Sequence, residues 1–100
     1  MTILSPFAPT FGKGQVVAPA AGSATIAVGA GNRSLALSNQ GTNPCYVRIG
    51  PAATVGAATT ADYCVPAGVQ VVVSKDPLHD SLSHISAAGT TLHVIPGEGF

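Results

Sequence analysis

The chain has 100 residues, 46% of them apolar, only 8% charged, and no net charge. This length suits one domain with one modest core, and the apolar share excludes a disordered chain. Lys13, Arg33, Arg48 and Lys75 are scattered and matched by four acids, which excludes the concentrated basic patch that nucleic-acid binding relies on.

Residues 1–14, MTILSPFAPTFGKG, carry Ile3, Leu4, Phe7 and Phe11 at spacings that fit neither a helix nor a strand. Pro6 and Pro9 block a helix and favour an extended path. Scarce aromatics on an irregular segment are costly unless something covers them. The expectation is an extended N-terminal arm that docks Ile3, Leu4, Phe7 and Phe11 on a neighbouring subunit; the other reading folds it back on its own core. This segment has no basic start, so a secretory signal is not expected. No run in the chain reaches the roughly 20 apolar residues of a membrane helix, so no membrane partner is expected.

Residues 15–100 read as a β-domain. Residues 15–19 form a short strand that Pro19 ends or places at an edge. Residues 23–28, SATIAV, alternate as a strand does, and Gly29-Ala30-Gly31-Asn32 is a turn. GAGN lacks the GxGxxG spacing of a dinucleotide loop, and no helical pattern follows it. Residues 35–50, LALSNQGTNPCYVRIG, read as strand, turn and strand around an Asn/Gly/Pro cluster. Residues 50–61 are a long loop of small residues, and residues 62–65 a strand. Pro66-Ala67-Gly68 turns into residues 69–74, the most β-prone run, with three consecutive valines. Residues 75–80 are a polar loop. Residues 81–87 and 91–95 are strands joined through Ala88-Gly89-Thr90, and residues 96–100 are a tail.

The expected fold is therefore all-β, a single antiparallel β-sandwich; periodicity alone does not distinguish a plain sandwich from a jelly roll. Leu35, Leu37, Val47, Ile49, Val71 and Val73 occupy alternate positions on the strongest strands and form the expected core. Cys45 and Cys64 also fall in predicted strands. Two cysteines suit a reducing cytoplasm and are expected as buried thiols rather than a disulfide scaffold.

Chemistry would have to come from His79, His84 and His93. A two-residue loop at Ala88-Gly89 puts His84 and His93 opposite each other on one face of a hairpin; a three-residue loop puts them on opposite faces. The first register would allow part of a cupin-like metal site with His79. The close histidine pair and carboxylate of such sites are absent, so no metal or cofactor is expected. No serine sits in G-x-S-x-G, and there is no P-loop or paired-carboxylate motif, so no enzyme is expected.

Four stretches, SPFAPTFGKGQVV, NQGTNPCYVRIG, VPAGVQVVVSKD and ISAAGTTLHVIPGEGF, resemble small head-associated structural proteins of tailed bacteriophages. The resemblance spans nearly the whole chain. It implies a capsid decoration or cement protein that binds the outside of a phage head and staples neighbouring capsid subunits. Its partner would be the major capsid protein of the same virion, with self-association as a homo-oligomer, and assembly would take place in the bacterial host cytoplasm. The low charge and neutral balance fit life inside an assembly. The alternatives are a phage tail, neck or fibre component acting as a binding module, and the cupin-like metal-binding protein.

Overall fold

The structure, a computed structural model, describes residues 7–98. Among the described residues there are nine strands and no helix. One sheet runs β1 (Ala8–Pro9) and β2 (Gln15–Val17), both on one edge of β9 (Leu92–Glu98), then β4 (Ser34–Asn39), then β7 (Gln70–Ser74). The second runs β3 (Ala24–Ala27), β8 (Ser81–Ile85), β5 (Cys45–Gly50), β6 (Tyr63–Val65). Every pairing is antiparallel. The protein is a β-sandwich, as the alternating patterns imply.

The core lies between the sheets. Leu35, Leu37, Val47, Val65, Leu82, Leu92 and Val94 are buried there. Ile49, Val71 and Val73 pack against this cluster but are only half-buried. Val71 and Val73 lie on β7, where an edge strand leaves one flank open.

The expected final hairpin is absent, and the strand, turn and strand of residues 35–50 do not pair with each other. β4 and β5, the halves of residues 35–50, lie in different sheets, and so do β8 and β9. The link after β8 makes a turn, with Gly89 N–H donating to Ser86 C=O at 3.2 Å, but that turn does not lead β9 back onto β8. The Ser86 and Thr90 N–H groups donate to Ala20 and Pro19 carbonyls at 2.9 and 3.1 Å, and Gln40 N–H donates to Thr91 C=O at 2.8 Å. Those bonds turn the chain across the end of the sandwich. Of the described strands, only β5 and β6 pair with a sequence neighbour.

Asn39 ties the ends together. It is buried, and its amide donates to the Asn43 and Val65 carbonyls at 2.9 and 3.0 Å. Its side-chain oxygen accepts from Gly41 N–H at 3.1 Å and from the Thr90 hydroxyl at 2.7 Å. One side chain thus joins the end of β4 to β6 and to the β8–β9 link.

Of the expected arm over residues 1–14, residues 1–6, with Ile3 and Leu4, lie outside the described residues. Residues 7–14 run along β9 of their own chain: Ala8 pairs with Glu98, Pro9 with Gly97, and Thr10 N–H donates to Pro96 C=O at 2.8 Å. An edge position tolerates Pro9, which has no N–H to contribute.

Candidate interaction surface

The outer face of the β1/β2-β9-β4-β7 sheet carries three rows of side chains, read from the register. Val16, His93, Ser38 and Gln70 form one, and Ile95, Ala36 and Val72 the next. Pro9, Gly97, Ser34 and Ser74 form the third. None of these residues is Lys, Arg, Asp or Glu. Val16 is 67% exposed, while Ile95 and Val72 are half-buried. Ala36 is buried between those two larger neighbours, and Ser34 is buried beside Gly97.

Phe7 seats on this face. A Cβ at Gly97 would meet Phe7 Cζ at 2.6 Å and the Ala8 carbonyl oxygen closer still, so only glycine lets the ring lie against the strand. Phe11 goes the other way. Between Pro9 and Gln15 the chain has more residues than β9 needs partners for, and the surplus loops out. Lys13 N–H closes the turn on Thr10 C=O at 3.2 Å, and Gly12 takes φ +82° at its third position. Phe11 stands at the tip, 86% exposed.

The outer face of the second sheet is different, because its own chain covers it. Residues 51–62 lie across it and bury Val55 and Ala58. The Ser83 hydroxyl donates to Gly56 C=O, and Ala58 N–H donates to the Ser23 hydroxyl at 2.9 Å. Arg48 pins the loop, donating to Ala57 C=O at 3.1 Å and lying 3.4 Å from Asp62. Among the described residues the two faces therefore differ: a loop of the chain covers one, while the other has no charged residue in its three rows and only Phe7 seated on it.

The histidines are separated. His84 faces the core opposite Val47; burial pushes its pKa down, and its Nδ1 has no partner among the described residues. His93 lies on the outer face of the other sheet between Val16 and Ser38. His79 sits in the 75–80 loop, where its carbonyl accepts from Lys75 Nζ at 2.8 Å. The register that would have put His84 opposite His93 does not exist, because their strands do not pair. Lys75 is buried and also donates to the Gly29 and Asp76 carbonyls; burial lowers its pKa against the pull of Asp76, Asp80 and Glu98.

The cysteines also differ from expectation. Cys45 is buried, and burial, with Cys64 adding to it, pushes its pKa up to about 11. Cys64 is exposed rather than buried. Cys45 pairs with Val65 and Cys64 with Tyr46, so the two thiols point to opposite faces of one sheet and are free.

The sequence reading missed Val16, Val72 and Ile95. Each is the apolar residue on the outward phase of a strand, a signal present in the alternation but unassignable until strand partners are known.

Sequence comparison finds no matching family model and no matching curated protein. Among solved structures, protein NMB1881 from Neisseria meningitidis superposes with TM-score 0.51 at 16% identity, over 97% of this chain and 88% of that one. PirA superposes with TM-score 0.58 at 12% identity, over 87% and 95%. At these identities the likeness is one of fold alone: the chain shares a β-sandwich architecture with both.

Proposed function

We propose that this chain is a virion structural protein, a decoration or cement subunit that binds the outside of a phage head and staples neighbouring capsid subunits. The uncharged outer face around Ile95 and Val72, which no loop of the described residues covers, carries the reading, since the opposite face is covered by the chain's own loop. The exposed Phe11 at its rim adds an aromatic anchor of the kind that dominates interfaces. The resemblance of the four stretches to head-associated phage proteins supplies the virion setting. We read the strand orders β2-β9-β4-β7 and β3-β8-β5-β6 as a jelly-roll winding, in keeping with that setting.

The mechanism is interfacial burial. Each specific contact would bury on the order of 1,600 Å² in total, and repeated contacts would add through effective concentration. The test is cosedimentation of purified protein with expanded heads lacking it. Ile95→Asp and Phe11→Ser, each folded by circular dichroism, are expected to lose head binding. Wild-type protein that fails to bind heads, or variants that bind as it does, would overturn the reading.

A further inference from the structure

Each sheet of the sandwich has two edges, and three of the four are guarded. The β1/β2 edge is broken by Pro9 and by the Phe11 turn. On β3, the Gln15 side chain donates to the Ala27 carbonyl. β6 has three residues, runs into Pro66 and adjoins the Arg48–Asp62 pair. Short strands, prolines, bulges and covering side chains are how sheet edges are kept from pairing.

Among the described residues β7 has no such guard. Its five residues, QVVVS, contain no charge and no proline. Asn39 N–H donates to Val69 C=O at 3.0 Å, and Lys75 N–H donates to Arg33 C=O at 2.9 Å. Hydrogen-bonded positions alternate along an antiparallel pair, so positions 69, 71, 73 and 75 turn their backbone groups toward β4. Gln70, Val72 and Ser74 turn theirs outward, and no backbone group among the described residues bonds to them. Gln70 and Ser74 are exposed, and Val71 to Val73 half-buried.

We propose that β7 pairs antiparallel with β7 of a second copy about a two-fold axis at Val72, making one continuous sheet through both subunits. The register is self-complementary. With Val72 opposite its own copy, Gln70 faces Ser74 of the other chain, and each outward N–H meets an outward C=O. Val71 of one copy faces Val73 of the other on the core side, giving β-branched cross-strand pairs that shield the two valines left half-open by the edge. An isologous contact of this kind closes at a dimer. With no charge on the strand and no net charge on the chain, nothing opposes like meeting like. This pairing is independent of capsid binding and is read on the isolated full-length chain.

Sedimentation equilibrium of the purified chain is expected to show a monomer–dimer equilibrium. Val72→Lys places two like charges face to face at the axis and is expected to weaken dimerisation by about tenfold or more. Ala27→Lys, on the opposite side of the sandwich, should leave it unchanged. Should Val72→Lys unfold the domain, Val72→Cys in a Cys64→Ser background is expected to oxidise to a dimer linked through position 72. A wild-type chain that stays monomeric leaves the edge to a strand of another protein and overturns the proposal. So does a dimer that Val72→Lys leaves intact, or a Val72→Cys chain that forms no bridge at that position.

Discussion

The Thr90 hydroxyl donates to the Asn39 side-chain oxygen at 2.7 Å, linking the end of β4 to the crossing between β8 and β9. Removing the Asn39 side chain leaves the Val65 carbonyl without its amide donor, and the Thr90 hydroxyl without its acceptor. Asn39→Ala is therefore expected to destabilise the domain by about 2–4 kcal/mol, the cost of a buried polar network left half-made. Thr90→Val, which removes one of these bonds, should cost about 1 kcal/mol. Urea titration checks both; equal effects would mean that Asn39 acts through this bond alone.

Burial grades the core. Leu37 is fully buried, whereas Ile49 is half-buried at its margin. Leu37→Ala is expected to cost about 2–5 kcal/mol and Ile49→Ala clearly less. The reverse order in denaturant midpoints would put the centre of the core elsewhere.

These core positions were legible in the sequence because alternation reports which phase of a strand is apolar. Leu35, Leu37, Val47, Ile49, Val71 and Val73 all lie on inward phases. Alternation does not report which strand sits beside which, and so β8 and β9 read as a hairpin although they belong to different sheets. The interaction surface was hidden for the same reason: Ile95 and Val72 become neighbours of Ala36 only once β9 and β7 flank β4. Phe7 and Phe11 read as equivalent arm residues. Gly97 is what separates them, and that contact lies far along the chain.

Phe7 and Phe11 should respond differently to mutation. Gly97→Ala forces the new methyl into the Phe7 ring and the Ala8 backbone and is expected to cost about 1–3 kcal/mol. Phe11→Ser, at an exposed turn tip, should stay within about 0.5 kcal/mol of wild type. Thermal unfolding of the two variants tests the contrast, and a large loss for Phe11→Ser would mean that the ring packs on its own domain.

His84 makes stability depend on pH. Its pKa is lowered in the folded state, so between that lowered value and the ordinary imidazole value of about 6.5 the unfolded chain binds more protons. The contribution is fully present above about pH 6.5 and is lost as the pH falls through the folded value. Urea midpoints are expected to drop below pH 6.5, and His84→Leu to remove that part of the slope. A slope unchanged in His84→Leu would assign it to other groups.

The two thiols should be distinguishable by reactivity. Cys64 is exposed, whereas Cys45 is buried and pushed up to about 11. A water-soluble thiol reagent at pH 8 is expected to modify one cysteine of the native chain, mapped to Cys64 by peptide mass, and both after unfolding. Fast native labelling of Cys45 would show that the β5–β6 edge opens.

Pairing between distant strands also governs how the chain reaches this form. β2 finds its partner only when β9 has been made: Gln15 pairs with Val94 and Val17 with Leu92. A growing chain therefore holds its first strands unpaired until β9 has been made. Such dependence on long loops slows folding relative to hairpin-built proteins of the same length. During that interval β4 can pair with β7 but lacks the flank that β9 supplies, so an edge that is internal in the finished sheet stands open to other chains until β9 arrives.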